Sequence, residues 1–114
     1  RPEGTANVAP KAVKVERVVI DAATDYSTTG KSTSIPLGST ILDVVAISTA
    51  TASGGTAQVF NGASAVHTAI AMATDQAVTR MAAGVDDTKL TVTAAVTVKT
   101  HALGDAGIVE IFYL

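Results

Sequence analysis

The 114-residue chain is 47% hydrophobic but only 4% aromatic, and its charged residues, 16% of the total, sum to −2 at neutral pH. A chain of this length suits one domain that buries roughly 65% of the surface its unfolded form exposes, with a core of Val, Ile, Leu and Ala. There is no basic cluster to grip nucleic acid and no cysteine for a disulfide scaffold or a thiolate zinc site, and no apolar run approaches the ~20 residues of a bilayer-spanning helix.

In chain order, RPEGTANVAP (1–10) has two prolines, a glycine and little to bury. It reads as an extended arm rather than as a signal peptide, either a free terminus or an arm that lies on a partner chain, with Arg1, Pro2, Val8 and Pro10 as the candidate contact residues in the second case. Residues 11–114 read as the folded domain. In 11–21, Val13, Val15, Arg17 and Val19 alternate with Lys14, Glu16, Val18 and Ile20, the pattern of a strand that is more buried toward its end. A polar connection (22–34) leads to a short strand at 33–37, which Pro36 places at an edge or bend because it lacks an N–H. The stretch 40–49 then reads as the central strand. Ile41, Asp43, Val45 and Ile47 fall on one face and Leu42, Val44, Ala46 and Ser48 on the other, both faces mostly apolar. Val44, Ile47, Val92, Val96 and Ile111 are expected in the core.

A glycine turn at 53–56 precedes a strand at 57–60. Asn61-Gly62 is a strong two-residue hairpin signal that would pair the strand around Val59 with one beginning near Ala65. The alanine-rich stretch 63–83 fits two periodicities. Val66, Ile70, Ala73, Ala77 and Met81 mark a helical stripe that Ser64 could cap; Val66, Thr68, Ile70 and Met72 mark one face of a strand, with a turn at 74–76. Strand is the favoured reading, and a short helix is the alternative. After a turn at 84–88, Thr/Val alternation at 89–100, a turn at 103–107 and a closing strand at 108–114 complete an all-β pattern. Short strands divided by Gly/Asn/Asp turns predict an antiparallel β-sandwich, jelly-roll-like in type.

Residues with chemical potential are few. Gly30-Lys31-Ser32-Thr33 resembles the end of a phosphate loop, but Asp25 occupies the place of its first glycine and Pro36 leaves no room for the following helix. His67 and His101, with a carboxylate such as Asp105, could hold a metal if the fold gathered them; their spacing matches no ligand pattern and favours surface histidines. His67 with Ser64 or Ser32 lacks the surroundings of a nucleophile, and Asp86-Asp87 reads as a solvated turn. Only Tyr26, Phe60, Phe112 and Tyr113 could line a sugar-binding patch.

Two stretches carry a resemblance. IPLGSTILDV (35–44) is similar to an apolar-Pro-x-Gly-Ser segment of small virion proteins of tailed bacteriophages, and AGIVEIFYL (106–114) to their closing strand. The family resembled is that of the capsid decoration, or cement, proteins and related head and tail modules. The resemblance implies a sandwich that assembles, often as a homotrimer, on the outside of a capsid, with itself and the major capsid protein as partners. It implies neither catalytic residues nor a cofactor, and neither a nucleic-acid nor a membrane partner. A non-catalytic receptor- or carbohydrate-binding sandwich is the alternative, and an enzyme a distant third.

Overall fold

The structure, a computed structural model, describes residues 12–49, 55–72, 74–81 and 90–114. Among these residues the strands are β1 (Lys14–Ile20), β2 (Lys31–Ser32), β3 (Ile41–Ser48), β4 (Thr56–Asn61), β5 (Ser64–Ala65), β6 (Ile70–Ala71), β7 (Val78–Arg80), β8 (Val96–Thr100) and β9 (Gly107–Tyr113). They form an antiparallel β-sandwich. One sheet has the order β1-β9-β3-β7; the other has β2-β8-β4-β5, with β6 also on β4. Six of the eight connections between these strands change sheet, those joining β4, β5 and β6 staying within the second, and the first and last strands pair with each other.

Strand alternation explains the core. In the first sheet Val18 and Ile20 of β1, Val44 and Ala46 of β3, and Val109, Ile111 and Tyr113 of β9 point inward. Ala57 and Val59 of β4, Val96 and Val98 of β8, and Ile70 of β6 answer from the second sheet, and Ile35, Val66, Met72 and Val92 fill in from the connections. These side chains are mostly β-branched, which suits a pleated surface. Fully burying each Val or Ile contributes about 1.5–3 kcal/mol relative to leaving it exposed. Gly107 is required where β9 starts beside β3 and beneath Met72: a Cβ there would collide with the Ile47 carbonyl oxygen and the Met72 methyl group.

Several sequence expectations change in detail. The alternation expected through β3 is broken at its start, where Ile41 pairs with Tyr113 and Asp43 with Phe112, leaving Leu42 as the bulged residue. Ile41 therefore joins Val44 and Ala46 in the core, and Leu42 is exposed. Ile47, expected in the core, lies half-buried on the outward side of its sheet, because a two-layer sandwich covers only one face of each strand. The short strand forms at 31–32 instead of 33–37, although Ile35 is buried.

The hairpin forms one residue later than Asn61-Gly62 suggested. Asn61 pairs with Ser64, so the loop is Gly62-Ala63. Positive φ at Gly62 but not at Ala63 matches a type II′ turn. None of the described residues within 63–83 is helical, which removes the helix alternative for them. They make β5, β6 and β7 with bends between, and Gln76, at φ 64°, turns the chain where a turn was expected. The strand expected over 89–100 is regular only at 96–100. The arm with Arg1, Pro2, Val8 and Pro10, and the turn at 84–88 with Asp86-Asp87, lie outside the described residues.

Asn61 explains why the Thr/Val run is interrupted. Its Oδ1 accepts hydrogen bonds from the backbone N–H groups of Thr93 and Ala94, both at 3.0 Å, and its Nδ2 donates to the Thr91 carbonyl at 2.7 Å. One side-chain amide thus takes the place of ladder partners for a segment that leaves the sheet. Val92 is buried beside it, and Thr91 makes an isolated bridge to Thr40.

Candidate functional site

The two histidines are not a pair of surface groups. His67 is buried, and both ring nitrogens are engaged by backbone. The Val59 N–H reaches Nε2 at 3.1 Å and can only donate, so Nε2 is the acceptor and the proton sits on Nδ1, which donates to the Thr68 carbonyl at 2.6 Å. Burial pushes this imidazole's pKa down from its ordinary 6.5, partly opposed by the Thr68 hydrogen bond. A histidine so occupied is no base for Ser64 or Ser32. The surface reading of His67 is therefore corrected: it braces β4 against the 66–68 bend.

His101 and Asp105 do come together. The Asp105 side chain is fully buried, and its Oδ2 accepts from the His101 N–H at 3.1 Å, meets His101 Nδ1 at 2.8 Å, and takes a longer bond from the Thr56 N–H at 3.4 Å. These contacts tie the 101–105 turn, with Gly104 at φ 104°, to the start of β4. Among the described residues neither Asp105 Oδ1 nor Thr100 Oγ1 has a hydrogen-bond partner, and no group of three or more His, Asp or Glu side chains is placed to hold a metal ion. Lys31 lies in β2 and not in a phosphate-cradling loop. Its Nζ donates to the Val19 carbonyl and stands 5.8 Å from the centre of the Tyr26 ring.

The aromatic side chains are dispersed rather than gathered into a sugar platform. Tyr113 points into the core, Tyr26 packs on its margin with its hydroxyl donating to Asp21, and Phe112 and Phe60 sit on opposite outward faces of the sandwich. An open depression of about 300 Å³ at one end is lined by Ala12, Lys14, Leu37, Gly38, Ser39 and Leu114.

What distinguishes the molecule is the contrast between its two outward faces. On the second sheet that face carries Thr56, Gln58 and Phe60 from β4 and Thr97 and Lys99 from β8, with the Lys99 ammonium 4.6 Å from the centre of the Phe60 ring. It is a solvated surface. On the first sheet the register aligns rows across the strands. Val19, Ile108, Ile47 and Val78 form one row; Arg17, Glu110, Val45 and Arg80 form the next; Val15, Phe112 and Asp43 form the third. Val15, Val19 and Val78 are 48%, 52% and 64% exposed, and Arg80 pairs with Asp43 at 2.9 Å.

Strand parity had the information to find this face, since Val15 and Val19 share one side of β1 and Ile108 and Phe112 share one side of β9. Reading both sides of β3 as interior hid it. No protein-family model matches the chain, and no curated protein and no solved structure matches it.

Proposed function

We propose that the chain is a virion structural protein, a decoration protein that binds the outside of a tailed-phage capsid as a homo-oligomer, with the major capsid protein as its partner, and stabilises it. The observation that carries this reading is the outward face of the first sheet. An isolated sandwich gains nothing from holding the apolar row Val19, Ile108, Ile47 and Val78 on its outward side, with Val15 and Phe112 beyond a row that bears Arg17, Glu110 and Arg80. Outward apolar rows of this kind mark places where another surface docks. The phage resemblance of 35–44 and 106–114 supplies the setting. A coat protein gains most by joining many weak contacts at once, since linked sites raise avidity without a large interface on each copy. The four ionic side chains of the contact face, Arg17, Arg80, Asp43 and Glu110, balance in sign, so a docked surface need not bury an uncompensated charge.

Mass spectrometry of virions purified from the phage that encodes the chain is the direct test. The expected result is the chain at a copy number comparable with the capsid protein, together with cosedimentation of purified chain with heads lacking it. Absence from virions, with no binding to such heads, would sink the proposal.

A further inference from the structure

We propose that the outward face of the first sheet packs against the same face of a second copy of this chain, about a two-fold axis. The inference rests on the preceding reading of that face as an interface and adds what covers it.

Two properties of the face favour a second copy, and a third sets how tightly it is held. The first is charge. Its ionic side chains are Arg17, Arg80, Asp43 and Glu110, two of each sign and net zero, with Arg17 and Glu110 cross-strand neighbours and Arg80 paired to Asp43. A strongly acidic or basic partner would meet as much repulsion as attraction. An identical face, neutral and mixed in sign, meets a balanced pattern, and the flanking rows offer it Val19, Ile108, Ile47 and Val78 on one side and Val15 and Phe112 on the other.

The second property is shape. A twisted sheet packs best on a sheet of the same twist, with strands about 30° apart and faces about 10 Å apart. A second copy supplies that surface without adjustment. The third is area. The eleven outward positions of the three rows, with Val13 extending the β1 line, each cover about 4.8 by 6.7 Å and together make a face of about 400 Å². Two such faces bury about 800 Å², below the roughly 1,000 Å² of a stable specific interface and in the range of a weak, transient one. The pair is therefore expected to be reversible, and to depend on avidity in a lattice for permanence. Because the same patch serves both partners, the contact closes on itself as a pair. It would not by itself build the trimer that the phage resemblance implies.

Sedimentation equilibrium across micromolar concentrations tests this on the full chain. The wild type should rise from 11.4 kDa toward twice that mass. Val19→Lys combined with Val78→Lys alters two exposed positions and should give a folded monomer at every concentration, with an unchanged circular-dichroism spectrum. Arg17→Glu makes the face net −2 and Glu110→Lys makes it net +2, by removing one charge of the balanced four and adding its opposite. Each alone should weaken self-association roughly tenfold or more, and an equimolar mixture of the two should restore it. A wild type that stays monomeric, one that stops at three times the chain mass, or lysine variants that associate like the parent would each overturn the pairing. Binding to phage heads separates the two proposals. A monomeric chain that still coats heads overturns the pairing and leaves decoration standing, whereas a pair-forming chain that ignores heads does the reverse.

Discussion

Replacing Asn61 with alanine tests how one side chain holds the end of the second sheet. The substitution leaves the N–H groups of Thr93 and Ala94 and the carbonyl of Thr91 without the partner they have now. A buried donor or acceptor stripped of its partner costs about 1–3 kcal/mol. Thr91 and Thr93 are exposed enough for water to replace part of the loss, whereas Ala94 is half-buried and Val92 beside it is fully buried. The low end of that range then applies to each group, which gives a total of about 2–3 kcal/mol. For a domain of this size that is a fall in melting temperature of roughly 10–20 °C. Urea unfolding should be followed at several protein concentrations, because self-association would otherwise add to the apparent stability. Hydrogen exchange supplies the residue-level reading: the amides of Thr93 and Ala94 should lose protection in the variant while that of Val98 in β8 keeps its own. A variant within about 0.5 kcal/mol of the parent, the usual range of an inconsequential surface change, would refute the reasoning. So would a large destabilisation that leaves Thr93 and Ala94 exchange untouched.

Val44→Asp places an unpaired charge at a fully buried position of β3 and should cost on the order of 3–5 kcal/mol; a variant that melts like the parent would remove β3 from the core. His67 makes stability depend on pH. Its folded-state pKa lies below the unfolded value of 6.5, so the unfolded chain binds the extra proton first, and stability should fall as the pH drops below about 6.5. Protonation would also turn Nε2 from acceptor to donor against the Val59 N–H. His67→Gln should flatten that part of the pH–stability curve, and an unchanged slope would show that another group causes it. Asp105→Ala should destabilise by on the order of 3 kcal/mol, since three donors converge on one buried carboxylate oxygen; His101→Ala, which removes only a half-exposed ring, should cost clearly less, and equal losses would contradict the assignment. Deleting residues 1–10 should leave the melting of the sandwich unchanged and weaken assembly or head binding, as cosedimentation can show; unaltered binding would take the arm out of the account.

Sequence alone carried the sandwich class because strand parity is local. Val18 and Ile20, Val96 and Val98, and Ile111 all lie inward as their alternation requires. It failed where a side chain decides the course of the chain. The Leu42 bulge reverses parity at the start of β3 without any glycine or proline to announce it, and Asn61 looked like a turn residue while its amide was needed by a segment some thirty residues away. The alanine-rich 63–83 stretch satisfied two periodicities; its described residues form no helix and only short strands, two paired with the ends of β4 and one with β3, with a bend at 66–68 where one continuous strand was expected. Its histidine, polar in composition, is buried because two backbone groups meet its ring. The contact face was half legible: its apolar residues could be counted, but a continuous surface exists only once register sets Val19, Ile108, Ile47 and Val78 side by side.

Hydroxyl-radical footprinting, comparing dilute chain with chain assembled on capsids, tests the central claim that the first sheet's outward face is the working surface. Phe112, Ile108 and Ile47 should lose reactivity on assembly, while Phe60 on the opposite face stays as reactive as in the free chain. Protection of Phe60 with Phe112 and Ile108 left reactive would contradict the account.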